Sequence, residues 1–526
     1  LGLTIVAKSS AAIYYASKCG VKSDGTDQHT AVQAILNLGQ NSLVTFIVDI
    51  PFTVKGCRVY SGTTIDGMGY GATITQATCT SLADCFTFSN ANWNSSYNAT
   101  PGASTNDHDI TVRNLRLDGN YRNGSSGSGV NAPGSRTAKG GGAPGLLYFL
   151  GVNNLKIENI DEYDAISFGL WLANVFDLTV HNINGVIPNS LAGFNGSVDS
   201  GTDIVHVNGP AARGSIRDIR GANSDDFVAL NAIDGNMLGT WSPPNFGMLY
   251  YGDITDFVVS GLFPKTCMNC IRFLSGLPNM SGQPALTPCK IDNVVVENVN
   301  GYSYQNAFTA NAFDVLGSPV LGHVILRNFN VRWLTMSGTS GQENRIGGTV
   351  SSFQISGFQI GDRTAHQWPI VAIDTGSNTT APNAPTVVDR LSISDVVVRE
   401  SSTDTTINMP LVSVPTGTVN ELVLSKVSYS RGAATTTALV EASGGTIGRL
   451  NMGQVSGNNI ANIVKMDGGT VNLINSTGLS HQGAGGNASI NVASGSLPIL
   501  NAVASDTQLL SSGTISRKTT DHSEIA

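Results

Sequence analysis

Apolar and polar residues alternate along most of this chain in short bursts. ITVRNLRLDGN (110–120), LKIENI (155–160), LTVHNI (178–183), SIRDIRG (215–221), FVVSGL (257–262), VVVENV (294–299), VILRNF (324–329), FQISGF (353–358), LSISDV (391–396) and LVLSKV (422–427) share that pattern. Alternation at period two predicts strands, and the Asn or Gly within or after most of these runs predicts a turn. Many runs recur at intervals of about 20 to 40 residues, the span of one solenoid repeat. Near the C-terminus the repeat tightens: GTV (417–419), GTI (445–447), GTV (469–471) and GSL (495–497) follow one another at 28, 24 and 26 residues.

A coil of three short strands and three turns needs about that many residues and cannot bury its own apolar face. Such coils must therefore stack, each strand pairing in parallel with its equivalent about 4.8 Å away. The expected fold is all-β, a right-handed parallel β-helix. A β-propeller would also give periodic short strands, but its longer blades and Trp-Asp signals are missing. The one helical pattern lies at the front, SDGTDQHTAVQAILNLG (23–39). Asp27 or Thr26 caps it, Ala31, Val32, Ile35 and Leu36 form its apolar stripe, and Gly39 ends it. Its expected task is to cap the open end of the stacked core. The expected organisation is a cap with first coils over 1–75, a main helix with a cleft over 76–400, and regular coils over 401–526.

Composition fits a repeat rather than a string of ordinary domains. Among 526 residues there are 60 Gly, with 13 % charged and 41 % hydrophobic residues. The formal net charge of −8, with no Lys/Arg cluster, excludes a nucleic-acid footprint and suits a neutral or weakly charged ligand. No run of about twenty apolar residues occurs, so no membrane insertion is expected. The chain opens LGLTIVAKSS without an initiator Met, which reads as a processed or truncated product. Of the seven cysteines, Cys79 and Cys85 can close a small loop. Cys267-Met-Asn-Cys270 has CxxC spacing but no second Cys or His pair to complete four zinc ligands, so neither a metal nor a cofactor is expected.

Candidate chemistry gathers where carboxylates recur. DAISFG (164–169), DIVHVN (203–208), DFVALN (226–231), NCIRFL (269–274) and NAFTAN (306–311) read as equivalent strands whose third and fifth residues face the core. Their first positions then form an outward column of Asp164, Asp203, Asp226 and Asn269, and their fourth positions one of Ser167, His206, Ala229 and Arg272. Asp225 and Asp226 stand side by side in NSDDFVALN. Adjacent carboxylates repel, and a glycosidase uses such a pair as proton donor and as base or nucleophile. Asp203, Asp225 and Asp226 are thus the expected catalytic residues. Asp164, His206, Arg272, Trp171 and Tyr250 are the expected substrate contacts, with Tyr251 and Trp241 as further stacking platforms and Glu162 or Asp161 as alternative acids.

Two resemblances sharpen this. VKSDGTDQHTAVQAIL (21–36), SGTTIDGMGYGATI (61–74) and LRLDGN (115–120) resemble the entry motif and first coils of the pectate-lyase-like β-helix superfamily. GTDIVHVN (201–208), NSDDFVALN (223–231) and NCIRFLS (269–275) resemble the Asn-Thr-Asp, Gly-Asp-Asp and Arg-Ile-Lys motifs of polygalacturonase-type glycoside hydrolases. Asn245-Phe246-Gly247 stands where that family has Gly-His-Gly, and Phe273-Leu274 replaces Ile-Lys. With those plant-cell-wall motifs incomplete, the chain resembles bacteriophage tailspike depolymerases. The resemblance implies hydrolysis of a bacterial surface polysaccharide by a homotrimer, on a virion tail or secreted, with an N-terminal anchor that can be cut away. A secreted pectinase, a polysaccharide lyase and a non-catalytic glycan-binding adhesin are the alternatives.

Overall fold

The computed structural model describes residues 11–79, 85–92, 106–120, 145–165, 168–186, 203–223, 225–232, 252–275, 277–278, 289–311, 315–316, 320–333, 344–361, 370–374, 385–400, 410–433, 436–482, 489–503, 509–511 and 514–521. They fall into two compact units, Leu1–Asp225 with Thr240–Gly252, and Asp226–Gly239 with Asp253–Ala526. Both are parallel β-helices of right-handed sense. No helix among the described residues is long and apolar enough to cross a membrane.

In the first unit the α-helix spans His29–Leu36 and buries Val32, Ile35 and Leu36, while Ala31 stays half-buried. The Asp27 carboxylate accepts the His29 backbone N–H at 3.1 Å, but the N-cap position is Gln28, which makes no side-chain cap, so neither Asp27 nor Thr26 caps the helix. Gln33 ties the helix to the strand Cys57–Val59: its carboxamide accepts from Arg58 N at 2.7 Å and donates to Arg58 O at 3.0 Å. Gly39 does not end the helix, because a 3-10 turn runs on over Asn37–Gln40. Glycine is needed there, since a Cβ would lie 2.7 Å from Thr63 Oγ1.

The short alternating runs are parts of longer strands, Asp107–Asp118, Leu147–Tyr163, Leu170–Val186 and Val205–Ala222. Each turns a corner at a residue in the left-handed region: Asn114, Asn159, Asn182 and Asp218 have φ between 54° and 57°. Asn and Asp tolerate that conformation best among residues with a Cβ. The corners also bond to one another, Asn159 Nδ2 to Asn114 Oδ1 and Asn182 Nδ2 to Asn159 Oδ1, each at 2.9 Å. Behind them Leu115, Ile160, Ile183 and Ile219 stack in register and are buried, as are Val112, Ile157, Val180 and Ile216. Apolar stacking and amide ladders together replace what a single coil lacks.

The expected equivalence of 164–169 with 203–208 fails by four residues. Leu170 pairs with Val205 and Trp171 with His206. The reason is Asp164 itself, which adopts φ 53° and donates its N–H to Val186 O at 3.2 Å, so it makes a corner rather than heading a strand. Asp203 instead offers its carbonyl to Gly169 N at 2.9 Å. A disulfide joins Cys79 and Cys85 in this unit.

The second unit keeps the expected register. Asp226, Asn269 and Asn306 are paired partners, as are Val228, Ile271 and Phe308, and Ala229, Arg272 and Thr309. One core column runs Phe257, Val294, Val324, Phe353, Leu391, Leu422, Leu450, Ile474 and Leu500. The C-terminal repeat is equally exact in space: Thr418, Thr446, Thr470 and Ser496 lie opposite one another on four successive coils. The Gly before each of the two middle threonines permits close stacking, as a Cβ on Gly445 would meet Gly417 O at 2.5 Å and one on Gly469 would meet Gly445 O at 2.8 Å.

Candidate active site

In the first unit Asp203 and His206 form a buried pair. His206 Nδ1 lies 2.6 Å from Asp203 Oδ2, and both side chains are about 2 to 3 % exposed. A carboxylate can only accept, so this bond places a proton on Nδ1 and makes Nε2 the nitrogen that exchanges one. Phe168 lies against the imidazole, ring centroids 4.3 Å apart, which fixes its plane.

His206 closes a column of paired residues that runs Arg58, Ser89, Tyr148, Trp171, His206. Tyr148 and Trp171 have ring centroids 5.0 Å apart, and Trp171 meets Phe168 edge-on at the same distance. Trp171 Nε1 donates to Asn208 Oδ1. With Trp171 4 % exposed and Tyr148 2 %, this is a packed aromatic wall in which Trp171 buttresses the histidine. Of the residues expected on an open face, Asp203, His206, Asp226, Ala229 and Asn269 are buried. Asp164 stands apart from them in its corner, 7 % exposed.

In the second unit Asp226 accepts at both oxygens. Asn269 Nδ2 donates to Oδ1, and Arg272 Nη1 donates to Oδ2 at 3.1 Å. Asn306 Nδ2 in turn donates to Asn269 Oδ1 at 2.7 Å, so one amide orients the next and the last orients the carboxylate. The Asp226 side chain is 1 % exposed and that of Arg272 15 %. A carboxyl group engaged this way is an acceptor, suited to the base or nucleophile of a displacement. Asp225, one peptide bond earlier, is half-buried. Tyr250, Tyr251, Trp241 and the segment 245–247 lie outside the described residues.

Glu162, an expected alternative acid, sits in the strand Leu147–Tyr163. It lies in the column Leu117, Glu162, Gly185 and is 3 % exposed. Its Oε2 has no hydrogen-bond partner, and burial holds its pKa well above the ordinary glutamate range. Gly169 and Gly185 make its room: a Cβ on Gly169 would come within 2.2 Å of Oε2 and one on Gly185 within 2.8 Å of Oε1. The interior thus favours the protonated form of this acid.

Two features of the site went beyond the sequence reading. The Asp203–His206 bond had a signal in the spacing of three, and the Asn269–Asn306 relay had one in the recurrence of Asn at the head of successive strands.

No protein-family model matches the chain, and no curated protein matches it in sequence. Solved structures do match. A family 28 exopolygalacturonase from Yersinia enterocolitica is 10 % identical over 94 % of this chain and 79 % of its own, with a TM-score of 0.47. The mannuronan C-5 epimerase A-module from Azotobacter vinelandii is 10 % identical over 89 % of this chain and 99 % of its own, TM-score 0.45. A surface protein and adhesin of Streptococcus pneumoniae is 12 % identical over 90 % and 100 %, TM-score 0.42. None of the three lends a residue role to this chain.

Proposed function

We propose that this protein is a glycoside hydrolase that depolymerises a bacterial surface polysaccharide, with Asp203, Asp225 and Asp226 as its carboxyl groups. The observation that carries the reading is Asp226, a buried carboxyl with a donor on each oxygen and a guanidinium as one of them. Structural carboxylates at strand ends are commonly solvated; one oriented by a chain of two amides is set for directed chemistry.

In this reading Asp226 removes a proton from water, or attacks the anomeric carbon itself, as the glycosidic bond breaks. Asp203, Asp225 and His206 handle the proton delivered to the leaving oxygen, with Asp203 holding the imidazole in one tautomer. Arg272 orients Asp226 and offers its remaining N–H groups to hydroxyl or carboxylate oxygens of the sugar. Trp171 is proposed to hold His206 in place, and Tyr250 to contact the substrate. The protein acts outside the producing cell, as a tailspike-like homotrimer on a virion or as a secreted enzyme, and needs no cofactor.

The deciding experiment incubates the protein with a panel of capsular polysaccharides and O-antigens and analyses the products by mass spectrometry. New reducing ends one water heavier than the repeat support hydrolysis. Products carrying the ultraviolet absorbance of an unsaturated uronide would make it a lyase, and binding without cleavage an adhesin.

A further inference from the structure

The Cys267-Met-Asn-Cys270 motif has no part in the chemistry above. Its two sulfurs lie 3.8 Å apart and both residues are fully buried. The backbone between them is pinned to the following coil: Tyr304 N donates to Cys267 O at 2.9 Å, Asn306 N to Met268 O at 3.0 Å and Ser303 Oγ to Met268 O at 2.6 Å. A disulfide needs its sulfurs about 2.05 Å apart. The two sulfurs are thus already in contact, and a bond needs them closer by about 1.8 Å.

Three uses of a CxxC pair compete. Zinc binding requires thiolates and two further ligands, and catalytic exchange requires an accessible thiolate. Both are disfavoured by the environment, because burial, reinforced by the Cys270 sulfur, pushes the Cys267 thiol well above its ordinary range. The third use is structural. The same chain already closes Cys79 with Cys85 over a separation of six residues. Such bonds persist in oxidising surroundings, where a second close dithiol meets the same conditions.

We propose that Cys267 and Cys270 form a disulfide, a covalent staple that closes around Asn269. The bond forms during folding, before the strand Asn269–Leu274 is sealed from solvent. A small-molecule disulfide such as oxidised glutathione is the oxidant. One cysteine thiolate attacks it, releasing one glutathione thiol and leaving a mixed disulfide. The second cysteine displaces the other glutathione. Two protons and two electrons leave the protein, and one oxidised glutathione becomes two reduced ones. Once folded, burial shields the bond from reductants. Asn269, one of the two residues between the cysteines in sequence, is the residue that donates to Asp226. The inference does not depend on the reaction the protein catalyses.

The test refolds the full chain in a glutathione buffer, denatures it without reductant, alkylates it and maps the peptides. The expected result is a linked 267–270 peptide beside the linked 79–85 peptide, with only Cys19, Cys57 and Cys289 alkylated. Alkylation of Cys267 and Cys270 in protein whose Cys79–Cys85 bond is closed would overturn the proposal. A Cys267→Ser/Cys270→Ser variant supplies the second readout. Backbone amides of 269–272 should exchange hydrogen several-fold more slowly in the oxidised protein than in the variant, and equal rates would remove the stapling role.

Discussion

Asp203 and His206 share one short hydrogen bond, 2.6 Å from Oδ2 to Nδ1, across three residues of the same coil. The carboxylate faces the ring and not solvent, so its charge acts through the imidazole. Asp203→Asn keeps a hydrogen-bond acceptor but removes the charge. On a cleaved polysaccharide kcat should fall about 10²- to 10⁴-fold while the far-ultraviolet circular dichroism stays unchanged. Wild-type turnover in this variant would dismiss the pair from the mechanism.

Arg272 neutralises a carboxylate that is almost wholly out of water. Removing one partner of such a pair costs about 3 to 5 kcal/mol. Arg272→Met should therefore lower the urea midpoint clearly, and Asp226→Asn in the same chain should recover part of the loss. Additive effects in the double variant, measured by denaturant titration, would mean that the two groups do not interact.

Glu162 makes stability depend on pH in an unusual direction. Its folded-state pKa lies above its unfolded value, so the folded protein keeps a proton that the unfolded chain releases. The stabilisation is complete below the ordinary value of 4.5 and is lost as pH rises toward the folded value. Glu162→Gln should flatten that decline, read as unfolding midpoints at acidic and neutral pH. Gly169→Ala should destabilise the protein, because the added Cβ meets the Glu162 carboxyl at 2.2 Å. Glu162→Ala should relieve that clash.

A second charged pair lies inside the other unit. Arg431 Nε is 3.2 Å from Glu400 Oε2, with both side chains at most 1 % exposed, on paired positions of successive coils. Glu400→Leu and Arg431→Met should each destabilise by about 3 to 5 kcal/mol. The joint replacement Glu400→Leu/Arg431→Met should cost less than either single change. A double variant as unstable as the sum of the singles would contradict this account.

Much of this architecture is written in the sequence, and the exceptions have identifiable causes. The C-terminal coils are legible because Thr418, Thr446, Thr470 and Ser496 recur at nearly equal spacing, each with Gly before it, and pair on successive coils. Around Asp226 the third and fifth residues are apolar on three successive strands, so only one register buries them all. Around Asp203 the same letter misled: Asp164 and Asp203 both precede apolar alternation, yet a left-handed φ at Asp164 turns the chain before its strand begins. The buried charges had a signal that their polarity masked. Period two from Ile160 points Glu162 inward, and from Val427 and Tyr429 it points Arg431 inward. What alternation cannot convey is which oxygen meets which donor, because that depends on side-chain torsions set by the neighbouring coils.

The column Thr418, Thr446, Thr470, Ser496 has a consequence for how such a chain can change over generations. Each of these coils contacts its two neighbours through matching surfaces, so one coil resembles an interchangeable rung. Deleting or duplicating the 24 residues from Gly445 to the residue before Gly469 would join like to like at the cut. Length at this end is thus a heritable quantity adjustable in whole steps of about 4.8 Å, a ruler that can be lengthened without redrawing the marks already on it.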